Sequence, residues 1–204
     1  MRFYRFAHAV AAGIIRRMFR VQIVGAEHEI QSGAYLLCCN HLSLHDAQIL
    51  GASLKRQLHF IAKAELFSVP LLRHLVRALG AIPVKRGAHD VEMVRTALRM
   101  LAEGEVVAIF PEGTRRPGAQ SLAFPPKYGA GMLACRAQVP VLPVVLQTKG
   151  NRIRLFRKTV VRIGEPISCT ALEADASSRQ EYARAAEQIY EQLRVLASQN
   201  GGNE

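Results

Sequence analysis

The sequence AYLLCCNHLSLHD, residues 34–46, decides the fold, because a continuous apolar run stops there at a polar cluster. A short apolar run of this kind is typical of a strand buried on both faces. The polar residues that follow within six positions are His41, His45 and Asp46. They fit a metal site, an acid–base pair, or polar residues that begin a helix.

The rest of the chain repeats the alternation of short apolar runs with longer helical patterns. Further strands are predicted at residues 21–27, 58–63, 81–85, 105–110 and 139–147. Helices are predicted at residues 68–80, 90–104, 127–137 and 177–198, and residues 152–164 suggest a hairpin or a long basic strand. This alternation predicts an α/β fold: a mostly parallel, twisted sheet flanked by helices on both faces.

The composition favours an anionic partner, since 27 Lys and Arg face 16 Asp and Glu, giving a net charge of +11. Candidate partners are nucleic acid, an anionic membrane, or a phosphorylated or CoA-like substrate. Aromatic residues make up only 6% and Trp is absent, which disfavours a nucleic-acid stacking platform. The four cysteines lack the spacing of zinc ligands and are interpreted as reduced thiols.

Residues 1–20 are predicted to form a basic amphipathic helix. On a helical wheel its five arginines fall in one sector about 120° wide, opposite an apolar side. The pattern is typical of a helix in a lipid headgroup layer, and the alternative is a helix packed on the domain; the two can coexist. The sequence contains no run of 18 apolar residues, so no transmembrane helix is predicted. The remaining chain is divided into a domain at 21–198 and a disordered tail at 199–204.

Polar clusters follow three predicted strands, and in α/β sheets functional groups collect at such strand ends. At the first, Asp46 lies five residues after His41 and can reach one imidazole nitrogen, leaving the other to accept a proton. The nucleophile would then be a substrate hydroxyl. The alternative is a polar loop in which Asp46 is a capping residue. A metal site using His41 and His45 is disfavoured, because no HExxH motif occurs, and no metal is predicted.

The sequence FPEGTRRPG, residues 110–118, reads as a turn presenting Glu112, Thr114 and Arg115 at a strand end. Arg115 with Arg86 and Lys63 would form a cationic pocket for a phosphate monoester. The alternative is a solvated turn.

Four blocks in a fixed order carry a family resemblance: NHLSLHD, GAIPVKR, FPEGTR and VPVLPV. With them the chain resembles the glycerolipid acyltransferases of the lysophosphatidate acyltransferase type. The resemblance implies that His41 deprotonates the acceptor hydroxyl, that Asp46 orients His41, and that the oxygen attacks a thioester directly. It also implies that Arg86, Arg115 and Lys63 hold the phosphate. The remaining pocket residues would be Asn40, Ser43, Gly80, Glu112, Gly113, Thr114, Pro140 and Pro143, the last two on the acyl side.

The implied reaction needs no cofactor; acyl-CoA or acyl-carrier protein is the co-substrate, and the acceptor is 1-acyl-glycerol-3-phosphate. Glycerol-3-phosphate or a lyso-aminolipid is the alternative acceptor. The protein is expected to bind peripherally to an anionic membrane, at its cytoplasmic face. Nucleic acid is not expected as a partner. A competing hypothesis is a basic, non-catalytic module that binds membranes or nucleic acid; it explains the charge but not the ordered blocks.

Overall fold

The computed structural model describes residues 2–63, 82–84, 91–172 and 178–199. Within these ranges the strands are β1 (Val21–Val24), β2 (Tyr35–Cys39), β3 (Leu58–Lys63), β4 (Ile82–Val84), β5 (Val106–Ile109), β6 (Val141–Thr148) and β7 (Thr159–Ile163). The α-helices are α1 (Arg2–Met18), α2 (Asp46–Ser53), α3 (Val91–Ala102), α4 (Gly129–Ala137) and α5 (Arg179–Ser198). The predicted helix at 68–80 lies outside the described residues.

The strands form one sheet in the order β1-β7-β6-β2-β5-β3-β4. All neighbours are parallel except β6 and β7, which pair antiparallel. The prediction of a mostly parallel sheet is therefore confirmed. Because β2, β5, β6 and β3 run the same way, their carboxyl ends meet at one edge, which we call the carboxyl edge.

Strand β2 is the middle strand, and all five of its residues are buried. Side chains alternate across a strand, so Leu37 packs with Ile49 of α2 on one face, and Leu36 packs with Leu133 of α4 on the other. Helix α5 covers the same face as α4, with Ile189 in that cluster. Helices therefore lie on both faces, as predicted, and the continuous apolar letters of β2 follow from burial on both sides.

Helix α1 packs on the domain, which is one of the two roles predicted for the N-terminal segment. Ile15 and Met18 pack against the core beside α2, and Phe19 is buried directly after the helix. Val10 and Ile14 are exposed at 47% and 54%. One side of the helix is thus fixed to the domain while apolar side chains remain on its outer surface.

The prediction for residues 152–164 is only partly correct. The strand is confined to Thr159–Ile163, which forms a hairpin with β6 and is fully buried. Residues 152–158 instead form an exposed turn, because Gly150, Asn151 and Phe156 adopt positive φ angles of 68°, 49° and 59°. Positive φ breaks the extended backbone that a strand needs.

Candidate active site

Two loops converge at the carboxyl edge, where β2 and β5 end side by side with Cys38 paired to Ile109. Asn40 and His41 continue from β2, and Phe110 continues from β5. This is the convergence predicted for the polar clusters NHLSLHD, residues 40–46, and PEGTRRPG, residues 111–118. Strand β4 belongs to the same sheet, but the cluster that follows it, including Arg86, lies outside the described residues.

Asp46 is the first residue of α2 and reaches back to the loop that precedes it. Its Oδ2 lies 2.7 Å from His41 Nδ1 and accepts the backbone N–H of Leu42 at 2.6 Å and of Ser43 at 2.9 Å. An oxygen that accepts two N–H groups is an acceptor for the imidazole as well, so Nδ1 carries the proton and donates it. The fully buried carboxylate thus orders the loop and orients the ring at once.

The His41 ring is held from its face as well as from Nδ1. It stacks on Phe110, with ring centroids 4.0 Å apart and planes 13° from parallel. The side chain keeps 21% of its surface exposed, which leaves it reachable from outside. Because Nδ1 faces Asp46, Nε2 is the nitrogen available to a reacting group.

The backbone of His41 is bonded on both sides to the turn after β5. His41 N donates to Glu112 Oε2 at 2.8 Å, and Arg116 N donates to His41 O at 2.7 Å. Glu112 is only 2% exposed. The turn predicted to shape the pocket therefore also fixes the position of the histidine.

The other oxygen of Glu112 binds two further donors. Its Oε1 accepts Leu122 N at 2.9 Å and the Tyr190 hydroxyl at 3.1 Å. Burial raises the pKa of Glu112, while the N–H groups of Leu122 and His41 and the Tyr190 hydroxyl act against that rise. Burial is the main cause that raises the pKa of Tyr190, and the nearby charge of Glu112 raises it further.

Tyr190 was not selected by the sequence analysis. It lies fully buried in α5, 78 positions from its partner Glu112. A buried carboxylate must find donors, so a third donor to Glu112 was to be expected, but no motif marks which residue supplies it. Arg116 was also missed; its guanidinium lies over Phe124, 4.1 Å from the ring centroid.

Asn40 and Ser43 lie in the loop but differ in their contacts. The buried Asn40 amide donates to Leu146 O at 3.0 Å and accepts Leu146 N at 2.8 Å, which ties the end of β2 to β6. Ser43 Oγ accepts His45 N at 3.2 Å within the loop. His45 itself points elsewhere: its Nδ1 lies 2.9 Å from Gln48 Oε1.

The predicted turn after β5 is present. Gly113 has a φ of 65° and its N–H donates to Phe110 O at 3.0 Å, closing the turn. A side chain at this glycine would lie 3.0 Å from Lys127 Cγ, which adds a steric reason for glycine. Thr114 and Arg115 follow as exposed residues.

The structure does not bring every predicted residue to this place. Lys63 ends β3 at the carboxyl edge, whereas Gly80 and Arg86 lie outside the described residues. Pro140 accepts Leu36 N at 3.0 Å, which places it at the amino end of β2, away from His41. Pro143 lines a different cavity of about 330 Å³, next to α5. In the described ranges, no three His, Cys, Asp or Glu side chains are grouped to hold a metal ion.

An apolar groove of about 370 Å³ lies between α1 and α2, beside the loop that carries His41. Its walls come from both helices and from the turn before β7. The lining residues include Ala11, Ile15, Phe19, His45, Ala52 and Leu155.

The comparison with known families identifies this arrangement. The family model described as Acyltransferase matches residues 20–147, more than half of the chain. The chain belongs to the acyltransferase family. This confirms the family predicted from the four sequence blocks. The match ends within β6, so α5 and Tyr190 lie beyond the part of this acyltransferase that the family model covers.

Individual relatives agree with the family. This acyltransferase is 29% identical over 196 residues to the 1-acyl-sn-glycerol-3-phosphate acyltransferase of Bacillus subtilis, covering 95% of the chain and 96% of the relative. It is 31% identical over 166 residues to the mouse 1-acyl-sn-glycerol-3-phosphate acyltransferase alpha, covering 76% of the chain but only 58% of that relative. The crystal structure of the 1-acyl-sn-glycerophosphate (LPA) acyltransferase PlsC from Thermotoga maritima is also similar, with a TM-score of 0.72 at 25% identity. It covers 98% of this chain and 83% of that one.

Proposed function

We propose that this acyltransferase transfers a fatty acyl group from a thioester to the free hydroxyl of 1-acyl-glycerol-3-phosphate, producing phosphatidate. The thioester is acyl-CoA or acyl-carrier protein. The observation that supports this most is the 2.7 Å contact between His41 Nδ1 and Asp46 Oδ2, at a reachable edge of the sheet. The names of the Bacillus and mouse relatives support the choice of acceptor.

The proposed chemistry follows from the protonation of His41. With Nδ1–H donated to Asp46, Nε2 takes the proton of the acceptor hydroxyl as its oxygen attacks the thioester carbonyl carbon. The carbon–sulfur bond breaks, and the leaving thiolate takes the proton back from the imidazolium. Asp46 stabilises the imidazolium while it exists. No acyl-enzyme forms, because the acceptor oxygen is itself the nucleophile.

The phosphate of the acceptor is proposed to bind at the turn after β5. Arg115 is exposed there. It directly precedes Arg116, whose backbone N–H donates to His41 O. Lys63 and Arg86 complete the cationic pocket in this proposal. Arginine suits this role because its planar guanidinium binds phosphate through two parallel hydrogen bonds.

The acyl chain of the acceptor is proposed to lie in the groove between α1 and α2. Its walls are mostly apolar, its volume is about 370 Å³, and His45 on its wall belongs to the same loop as His41. An apolar chain gains free energy from leaving water in such a groove. This location replaces the one first expected near Pro140 and Pro143.

The protein is further proposed to bind peripherally to an anionic membrane at its cytoplasmic face. Val10 and Ile14 are exposed on α1, and Arg16, Arg17 and Arg20 are exposed near its end. A basic residue near an anionic bilayer contributes about 1 kcal/mol to binding. Among the described residues, none of the helices combines the length and the apolar character of a transmembrane span.

The test is acyl transfer from one labelled thioester to a panel of lyso-acceptors, with the lipid product identified. His41→Ala should lower kcat by about 10²–10⁴-fold, since a general base contributes that much. His59→Gln is the matched control: His59 lies near the amino end of β3, 3.4 Å from Glu105, and the variant should keep its activity. A wild-type protein inactive on every acceptor, or a fully active His41→Ala variant, would contradict the proposal.

A further inference from the structure

The turn between β6 and β7, residues 152–158, exposes two large apolar side chains among basic ones. Its sequence is RIRLFRK, with Leu155 50% exposed and Phe156 70% exposed. Four cationic residues in the same seven positions are also exposed and no acidic residue occurs among them: Arg152, Arg154, Arg157 and Lys158. Phe156 is more exposed than any other large apolar side chain of the described residues.

The backbone of this turn is unfavourable for the residue it carries. Phe156 has a φ of 59°, in the left-handed region that glycine and asparagine adopt far more readily. A bulky aromatic residue there is strained and also leaves its ring in water. Strain at an exposed position is a reason to look for a function of that side chain.

The turn is bonded to helix α1. Phe156 N donates to Met18 O at 2.6 Å, and Leu155 lines the groove opposite Ile15 of α1. The exposed apolar residues of α1, Val10 and Ile14, therefore belong to an element in direct contact with the turn. Arg16, Arg17 and Arg20 at the end of α1 add to its cations.

We propose that the β6–β7 turn is a second membrane-binding element, which inserts Leu155 and Phe156 into the interface of an anionic bilayer. The four cationic side chains of the turn bind lipid phosphates around the two inserted residues. This inference rests on the proposed peripheral attachment and deepens it, because it assigns a site outside α1. Exposed apolar side chains surrounded by basic ones are complementary to a bilayer, which has an apolar interior beneath anionic headgroups.

The position of the turn has a consequence for catalysis. It leaves β6 at the carboxyl edge, the edge at which His41 lies after the parallel strand β2. Insertion of the turn would therefore hold this edge, and the groove that Leu155 lines, against the bilayer. A lysolipid could enter the groove without crossing water.

Nucleic acid is a poorer partner for the same turn. Single-stranded binding surfaces need several aromatic rings in succession, whereas Phe156 is the one aromatic residue of the turn and its neighbour is leucine. The apolar groove that continues from Leu155 has no counterpart in a phosphate-tracking surface.

Sedimentation with vesicles tests the proposal without any acyl transfer. The double variant Leu155→Ser/Phe156→Ser should bind vesicles of phosphatidylglycerol and phosphatidylcholine at least about tenfold more weakly than wild type, since two large apolar side chains no longer leave water. The matched control is Val91→Ser/Val195→Ser, which removes side chains 63% and 46% exposed on α3 and α5 and should bind like wild type. Equal binding of the turn variant and wild type would overturn the proposal.

A single glycine substitution separates membrane binding from folding. Phe156→Gly relieves the positive-φ strain, so its melting temperature should equal or exceed that of wild type while its vesicle binding falls. Arg154→Gln/Arg157→Gln should lose the preference for anionic over neutral vesicles, unlike Arg95→Gln/Arg99→Gln, which removes the same charge from α3. The proposal would be rejected if both double arginine variants lost the preference for anionic vesicles equally. It would also be rejected if the protein bound RNA through the turn more strongly than it bound vesicles.

The two proposals can fail separately. If wild type transfers acyl groups but the serine variant binds vesicles normally, the membrane role of the turn is wrong and the proposed function stands. If the turn is needed for binding but wild type acylates no acceptor, the proposed function is wrong and the turn remains a lipid contact.

Discussion

Glu112 collects three hydrogen bonds on one buried carboxylate, and one of them reaches the site from the far end of the chain. His41 N and Leu122 N come from the loops at the carboxyl edge, whereas the Tyr190 hydroxyl comes from α5. Hydrogen bonds to a charged group contribute about 1.5–3 kcal/mol each. Tyr190 therefore acts on His41 through Glu112, as a positioning residue.

Replacing Tyr190 with phenylalanine should remove this contact and little else. We expect Tyr190→Phe to lower the free energy of unfolding by about 1.5–3 kcal/mol and to lower kcat more than it changes KM. Tyr35→Phe is the control, because the Tyr35 hydroxyl is buried with no hydrogen-bond partner among the described residues. Urea unfolding would measure the change in stability, and steady-state kinetics the changes in kcat and KM. Equal effects in Tyr190→Phe and Tyr35→Phe would contradict a positioning role for Tyr190.

The same substitution has a signature in the pH profile. Burial raises the pKa of Glu112 above its ordinary 4.5, and Tyr190 opposes the rise. Since the folded pKa is raised, the stabilising contribution of Glu112 is complete below pH 4.5 and is lost as the pH rises through the raised value. Without Tyr190 the pKa rises further, so the loss of free energy of unfolding with rising pH should extend to higher pH in Tyr190→Phe than in wild type, as measured by urea unfolding at a series of pH values. A purely structural loss would lower the free energy of unfolding by the same amount at every pH.

At this scale the sequence predicts short-range contacts and misses long-range ones. The five-residue spacing of His41 and Asp46 allowed their hydrogen bond, with a capping role for Asp46 as the alternative, and the structure shows the bond at 2.7 Å. The partnership of Glu112 with Tyr190 spans 78 positions and depends on how α5 packs. No local pattern contains that information.

Among the elements, burial decided which predictions succeeded. Strand β2 was predictable because both of its faces are buried, which requires an unbroken apolar run. Residues 152–158 belong to the segment predicted to be a hairpin or a long basic strand. The segment forms a turn instead, partly because Phe156 has a positive φ. Phenylalanine rarely adopts this conformation, so the sequence did not predict it.

The contact between α4 and α5 depends on one glycine. A Cβ at Gly131 would lie 2.0 Å from Tyr182 O and 2.6 Å from Ala186 N, so the two helix backbones meet there. Gly131→Ala should lower the free energy of unfolding by about 1–3 kcal/mol, because only a backbone shift can relieve the overlap. That shift moves α5, and with it the hydroxyl of Tyr190.

The control for this substitution is a helical glycine with open space around it. A Cβ at Gly51 of α2 meets nothing within 4 Å, so Gly51→Ala should raise the free energy of unfolding by about 0.5–1 kcal/mol. Urea denaturation of both variants tests the pair. Destabilisation of both, or of neither, would mean that close helix contact at Gly131 does not limit the packing.

For the whole molecule, composition predicted the kind of partner but not its place. A net charge of +11 favours an anionic surface, yet the positions of the cations around α1 and the β6–β7 turn depend on the fold. The family predicted from four blocks is confirmed over residues 20–147. The contribution of α5 could not be predicted, since it lies outside those blocks.

The buried thiols offer a measure of how the whole sheet unfolds. Cys38 and Cys39 lie fully buried in β2, which has β6 and β5 on its two sides, and burial raises the pKa of both thiols. Cys135 is also buried, whereas Cys169 is partly exposed. The native protein should therefore react quickly with about one equivalent of a thiol reagent, at Cys169.

Reaction at Cys38 and Cys39 should wait for the sheet to open. A central strand cannot leave its two neighbours by fraying, so the free energy of opening reported by these thiols should equal the global free energy of unfolding. The urea dependence of their labelling should then match the equilibrium m-value. Peptide mapping of the labelled cysteines would check this; rapid labelling of Cys38 in native buffer would mean that β2 opens locally, and His41 at its end would then lack the rigid support from which its geometry derives.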